Sequence, residues 1–509
     1  MRIQPNLLPM GAIATAAAVL LGLSIAHTMP RGPTTASQVL IVMVTSLALG
    51  GGAGWMLRSP WAIVLAPLAY MLAIEVGRFA IVGPTVDGLR LNETFGILAL
   101  ILGRGFHGLV GVLPMMLGAY WGWAIARSGA GHKIPLMEAI RAGDKCAISA
   151  IGATLGLGIL ALLMLLPATT PAILDANGKP LAGSIASLEK VRLGGHEQWI
   201  MLRGHSTDKP VLLYLSGGPG QSDLPFVRVL LDDLTRDFVV VGWDQRGTGK
   251  SYSALDPTQT LTLDRAVSDT IELTNYLRQR FDDKKIYLLG ESWGTTLGVL
   301  AVQRQPELYY ALISSGQMVS QRETDRRIYQ DVLALAAATG DASLAAKMRA
   351  YGQPPYKDMP YANAFVMGQY DRLSPPYTPP QSYIQRGTEA NLGPWGIFGS
   401  EYNWVEKVNV LRGLIDMFSI MYPQLQAIDF RQTVKQLEVP VYMLDGAAEL
   451  SARRDLALKW FEQLKAPRKQ KFTFENAGHS VVFEQFEAFS QIVRETILPD
   501  RDRRDPLQR

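Results

Sequence analysis

The hydrophobic pattern changes character about one third of the way along the chain. Up to about residue 166 the sequence is dominated by uninterrupted apolar runs: Leu7 to Ala26, Val39 to Leu57, Trp61 to Val82, Phe106 to Ala126 and Ala147 to Leu166. About 20 consecutive apolar residues are needed to cross a hydrocarbon core, so these runs predict five membrane-spanning helices. The apolar stretch from Phe95 to Leu102 is too short to span and runs into Arg104, which predicts a re-entrant or interfacial piece leading into the fourth helix. After the break at Pro167 to Pro171 the pattern becomes short β-rich runs alternating with amphipathic helical segments, the signature of an α/β fold with a largely parallel sheet. The predicted strands are Val211 to Leu215, Phe238 to Val241, Lys285 to Leu289, Ala311 to Ser315, Val439 to Leu444 and Lys471 to Glu475. The predicted helices include Asp264 to Arg280, Gly294 to Gln303, Ala452 to Leu464 and Phe483 to Ile497. Between about Gln317 and Gln436 the alternation lapses into helical pieces and a Pro/Tyr-rich stretch, which predicts a helical lid inserted between two strands. The pattern therefore divides the chain into a transmembrane region (1–170), an α/β domain (171–498) and a charged, disordered tail (499–509).

Within the apolar third, Gly50 with Gly54 and Gly152 with Gly156 have the small-xxx-small spacing that permits close helix approach. Glu75 and Arg78 stand three residues apart on the third span, close enough to neutralise each other near the helix end. Arg2 before an apolar core, with Ser24-Ile25-Ala26 behind it, has the outline of a cleavable signal. The apolar core exceeds the usual length of about 7–15 residues and four more spans follow, so a retained helix is expected. Arg127, Lys133, Arg141 and Lys145 form the densest basic loop and should be cytoplasmic. Counting back puts Arg2 and Arg58 inside and Arg31 and Arg90 outside, and leaves everything after about residue 170 extracytoplasmic. The chain is thus expected to be a multi-pass membrane protein in contact with lipid.

Composition adds exclusions. The 509 residues average 48% hydrophobic and 18% charged, a mean that merges the nearly charge-free first third with an ordinary soluble remainder. A net charge of +4 without a basic, aromatic-interleaved block makes nucleic acid an unlikely partner. A single cysteine, Cys146, excludes an intramolecular disulfide framework and a cysteine-based metal site, and no metal or cofactor is expected.

The chemistry lies in the α/β part. Gly290-Glu291-Ser292-Trp293-Gly294 stands directly between a predicted strand and a predicted helix, where glycines allow the sharp turn that presents a serine hydroxyl above the sheet. A serine needs a base, and among six histidines only His479 follows it, just past the last predicted strand. In the order serine, acid, histidine, the acid should leave the strand Val439 to Leu444, where Asp445 and Glu449 both qualify. The oxyanion needs two backbone donors: Trp293, after the nucleophile, and Gly218, in the loop Ser216-Gly217-Gly218-Pro219-Gly220.

These stretches resemble the α/β-hydrolase superfamily, and within it the proline iminopeptidase-like serine hydrolases. Ser216 to Gly220 corresponds to the family's HGGPG, Trp243-Asp244-Gln245-Arg246-Gly247-Thr248-Gly249-Lys250-Ser251 to its WDQRGxGxS, and Gly290 to Gly294 to its GxSWG. The resemblance covers roughly residues 190 to 498 and does not extend to the apolar third. It implies Ser292 as nucleophile, His479 as base and Gly218 with Trp293 as oxyanion donors. In Gly446-Ala447-Ala448-Glu449-Leu450-Ser451-Ala452 it places Glu449 where the family has aspartate, which favours Glu449 over Asp445. Ser216 replaces the family's first histidine. The resemblance further implies lid carboxylates that hold a substrate's free amine, for which Glu389, Glu401 and Glu406 are the candidates. The expected activity is that of a membrane-anchored aminopeptidase acting on small peptides. An esterase with the same triad, or a membrane sensor whose hydrolase-like domain binds without turnover, are the alternatives.

Overall fold

The computed structural model describes residues 7–128 and 144–499. Arg2, Lys133, Arg141 and the tail after Pro499 lie outside these residues. The chain divides into two compact units, one of Met1–Pro167 with Asn403–Val408, the other of Ala168–Tyr402 with Asn409–Arg509.

The first unit is helical, as its continuous apolar runs dictate: α1 (Leu7–Thr28), α2 (Ala36–Leu57), α3 (Ala62–Gly77), α4 (Thr94–Arg127) and α5 (Lys145–Met164). Four of them, α1, α2, α4 and α5, are long and apolar enough to cross a membrane, whereas α3 has only 16 residues. The third expected span is thus shorter than its apolar run, because the chain leaves the helix at Arg78. The Phe95 to Leu102 stretch is not a separate piece. It is the first part of α4, a 34-residue helix that continues through two π-helical turns, Ile101–Gly105 and Gly108–Val112, and so carries Arg104 inside a helix. Gly50 and Gly54 of α2 meet α4 at backbone distance: a Cβ on Gly50 would lie 2.0 Å from the Met115 carbonyl oxygen. A Cβ on Gly152 or Gly156 would meet nothing within 4 Å among the described residues, so their matching spacing marks no close approach there. Arg78 pairs with Glu75 as expected, and Arg104 of α4 grips the same carboxylate through two bonds of 3.0 Å.

The second unit is built on an eight-stranded sheet in the order β1-β2-β4-β3-β5-β6-β7-β8. Strands β3 (Val211–Leu215), β4 (Val239–Asp244), β5 (Ile286–Glu291), β6 (Tyr309–Ser315), β7 (Val441–Gly446) and β8 (Lys469–Phe474) run parallel. These are the predicted strands with ends shifted by at most three residues. The pattern missed an antiparallel hairpin, β1 (Ile185–Leu193) and β2 (His196–Gly204), which extends the sheet beyond β4. Both faces of the central strands are covered, so β3, β4 and β5 are buried along their whole length. The crossover helices are α6 (Leu263–Arg280) between β4 and β5 and α7 (Trp293–Arg304) between β5 and β6. Between β6 and β7 the chain makes a helical insertion that includes α8 (Gln321–Thr339), α9 (Ala342–Tyr351), α10 (Met359–Met367), α11 (Tyr370–Leu373), α12 (Gln381–Glu389) and α13 (Trp404–Leu425). Helix α14 (Ser451–Gln463) follows β7. The predicted helix Phe483 to Ile497 is interrupted at Gln485 and ends in a π-helical turn.

Candidate active site

Ser292 stands at the abrupt turn from β5 into α7, with φ 51° and ψ −115°. Such a backbone costs about 1–3 kcal/mol and persists only where the surroundings enforce it. Here the Ser292 N–H donates to the Ser315 carbonyl at 2.9 Å, and the Thr295 N–H and hydroxyl both donate to the Ser292 carbonyl. Gly294 is required two residues on, because a Cβ there would lie 2.0 Å from the Leu215 carbonyl oxygen of β3.

His479 leaves β8 on a short loop and its Nε2 lies 2.8 Å from the Ser292 hydroxyl. Its Nδ1 is hydrogen-bonded to Glu449 Oε2 in the loop after β7. The other oxygen of Glu449 accepts from the Leu450 N–H at 2.8 Å and meets Arg453 at 3.4 Å. Burial would raise the Glu449 carboxyl, but the neighbouring His479 and Arg453 charges pull it down to about 2. Burial would lower His479, yet the Glu449 charge outweighs it and holds the imidazole above its ordinary value. A buried carboxylate stabilising an imidazolium is the arrangement in which a histidine takes a proton from a hydroxyl.

Asp445 goes elsewhere. Arg454 binds it through two bonds of 2.9 Å and Thr473 adds a third, so of the two acids that position allowed, Glu449 is the one on His479.

Ser292, His479 and Glu449 open onto a cavity of about 550 Å³, which Gly218 also lines. Trp293 begins α7, where backbone N–H groups of the first turn have no intrahelical partner. Gln245, within the Trp243 to Ser251 motif, ties the two neighbouring segments together. It accepts from the Trp293 indole at 3.0 Å and donates to the Ser216 carbonyl at 3.3 Å.

None of the three carboxylates expected to hold an amine lines the cavity. Glu401 is fully buried and paired with Arg228, Glu389 is exposed and accepts from Gln385, and Glu406 accepts from the Asn403 N–H. Besides Glu449, the carboxylates on the cavity wall are Asp371 and Glu484. Glu484 is occupied by the Gly478 N–H at 2.7 Å and the Tyr377 hydroxyl at 3.0 Å. Sequence reasoning also missed Glu291, a buried carboxyl pushed up to about 7 by burial, which accepts from the Ser480 hydroxyl. A charged residue ending an otherwise apolar strand was the available signal. Among the described residues there is no group of three or more His, Cys, Asp or Glu side chains able to hold a metal ion.

A serine on a strand-to-helix elbow, a histidine after the last strand and a parallel sheet define the class of architecture, and the sequence comparison agrees. The chain belongs to the family of the alpha/beta hydrolase fold, whose family model matches residues 210–486, more than half of its length. It is 28% identical over 312 residues to a probable aminopeptidase (YbaC) of Bacillus subtilis strain 168, covering 61% of this chain and 96% of that protein. It is 26% identical over 318 residues to a proline iminopeptidase of Lactobacillus helveticus, covering 60% and 96%. Among solved structures it matches a proline iminopeptidase of Mycobacterium smegmatis at 19% identity and a TM-score of 0.44, over 62% of this chain and 99% of that one. In its sequence relatives the α/β domain is proline iminopeptidase-like, and residues 1–167 lie outside the residues 210–486 that the family model matches.

Proposed function

We propose that this protein is a membrane-anchored serine hydrolase, an aminopeptidase of the proline iminopeptidase type that cleaves small peptides through an acyl-enzyme. The observation that carries the reading is the unbroken chain from Ser292 Oγ through the two nitrogens of His479 to Glu449 on the wall of one cavity. Ser292 attacks the scissile carbonyl while His479 Nε2 takes its proton. The oxyanion is held by the backbone N–H groups of Trp293 and Gly218, and His479 returns the proton to the departing amine. Water, deprotonated by the same imidazole, then releases the acyl group. Glu449 keeps Nδ1 protonated and stabilises the imidazolium in both steps. The insertion between β6 and β7 acts as the lid, since Met367, Tyr370, Tyr377 and Trp395 come from it to the cavity wall. With Glu484 already engaged, Asp371 is the carboxylate left to receive a substrate's free amine. The apolar helices anchor the enzyme in a bilayer with the hydrolase domain outside the cytoplasm. Arg127 and Lys145, at the ends of the helices flanking residues 129–143, support that orientation.

Substrate comparison tests the reading. Prolyl or small aminoacyl amides should be cleaved at least about 100-fold better than their N-acetylated forms, a difference of roughly 2.7 kcal/mol, and Asp371→Asn should erase the preference. Turnover confined to acyl esters would instead assign an esterase, and binding without turnover a sensor.

A further inference from the structure

The cavity wall holds two buried amide side chains that the proposed chemistry does not use. Gln321, the first residue of α8, is 6% exposed, and Asn363 of α10 is 5% exposed. Both line the same cavity as Ser292, and Gln321 Oε1 and Asn363 Nδ2 have no hydrogen-bond partner. A buried polar atom without a partner costs about 1–3 kcal/mol, so its retention beside a ligand cavity points to a partner on the ligand.

The direction of the Gln321 amide is fixed from behind. Asp325 accepts from the Tyr422 hydroxyl at 2.7 Å and from Gln426 Nε2 at 2.8 Å. Burial pushes the Asp325 carboxyl up to about 6, which leaves it an ionised acceptor at neutral pH. The single proton of the Tyr422 hydroxyl is thereby spent on Asp325, and the same oxygen must accept from Gln321 Nε2, 3.0 Å away. Turning the Gln321 amide over would set two acceptors against each other. Gln321 is therefore locked with Oε1 free, and Oε1 can only accept.

Tyr370 and Phe418, which stacks on Tyr422 at 4.4 Å, give this part of the cavity aromatic walls. An amide oxygen is uncharged, and the Asp325 charge behind it is already engaged by Tyr422 and Gln426, so a neutral N–H is the donor that Oε1 satisfies most fully. We propose that Gln321 is a specificity-determining residue that accepts a hydrogen bond from a neutral amide N–H on the substrate, one linkage beyond the scissile bond. The substrates are then peptides or acyl-amides carrying a second amide group, rather than a single aminoacyl unit with a simple leaving group. Asn363, on the wall of the same cavity, supplies a donor for the carbonyl of that second amide. This inference rests on the hydrolase reading of the site.

The test uses the full-length protein in detergent and four probes: prolyl-glycyl-glycine amide, its analogue in which the second amide N–H is replaced by an ester oxygen, and the same pair with the scissile linkage itself an ester. Wild type should favour the N–H member of each pair by about tenfold or more in kcat/KM, and Gln321→Met should reduce that ratio to about twofold or less. Gln321→Asn, which keeps the amide with its donor and acceptor at a shorter reach, should retain more of the preference than Gln321→Met, and unchanged fluorophosphonate labelling of Ser292 checks that each variant folds. Turnover of only the ester-scissile pair would remove the peptidase reading while still reading the N–H preference. Equal turnover within pairs by wild type, or a preference that survives Gln321→Met, would overturn the role of Gln321 alone. No turnover of any probe would overturn the hydrolase reading and this inference with it.

Discussion

Replacing Glu449 with Gln separates the two acids that the sequence left open. A carboxyl that titrates at about 2 instead of its ordinary 4.5 is held in its ionised form by roughly 3 kcal/mol, supplied by His479, Arg453 and the Leu450 N–H against the opposing effect of burial. The part owed to His479 grows when the imidazole becomes an imidazolium, which in the proposed mechanism is the transition state. Glutamine removes that charge and no longer ensures an acceptor for Nδ1–H, so His479 can present the wrong tautomer to Ser292. A loss of about 3–5 kcal/mol is expected, or roughly 10²–10⁴ in kcat. Asp445→Asn gives the contrast. Asp445 contacts Arg454, Thr473 and Lys471 but not His479, so its loss should cost about 1–2 kcal/mol of stability and less than about tenfold in kcat. Steady-state kinetics on one aminoacyl amide, with thermal unfolding as the control for folding, measures both. If Asp445→Asn lost more activity than Glu449→Gln while remaining folded, the hydrogen-bond geometry would have misassigned the acid.

Three other outcomes follow from the same contacts. Because His479 must be neutral to act as base and is held above its ordinary 6.5, the acid limb of kcat/KM should have its midpoint above pH 6.5; in Glu449→Gln it should move down, and an unmoved limb would deny the coupling. Gly294→Ala would force a Cβ to 2.0 Å from the Leu215 carbonyl oxygen, so it should destabilise the domain by about 3 kcal/mol or more, seen as a lowered Tm. Glu401→Gln breaks a buried pair with Arg228 and should cost about 3–5 kcal/mol of stability without altering the preference for free over blocked amines.

What could be read from the sequence was what depends on chain order and local pattern. The buried strands β3 to β7 are short apolar runs between turn residues, and the motif around Ser292 carries its own strand-to-helix context. The hairpin β1–β2 was missed because its outer strand is half-buried over its first five residues and carries the charged Glu189, Lys190 and Arg192, so it shows no clean apolar alternation, although Gly194-Gly195 between the two strands was a readable turn signal. The choice among carboxylates failed for another reason. Glu389, Glu401 and Glu406 were selected by their position in an insertion, and position says nothing about which partner a side chain finds. Arg228, far away in sequence, claims Glu401. The same limit hid Gln245, whose bridge between Trp293 and Ser216 exists only once three strand ends meet. In the apolar third, composition located the helices. The Glu75 pair gained Arg104 because α4 extends further back than its apolar run suggested.

The central claim is that Ser292 is a nucleophile activated by His479. Treating the detergent-purified full-length protein with a fluorophosphonate probe, and locating the label by peptide mass, tests it most directly. The account predicts one stoichiometric label on Ser292, no label in Ser292→Ala with kcat lowered by roughly 10⁴–10⁶, and strongly slowed labelling in His479→Ala. A label on another serine, or a folded Ser292→Ala protein of undiminished activity, would contradict it.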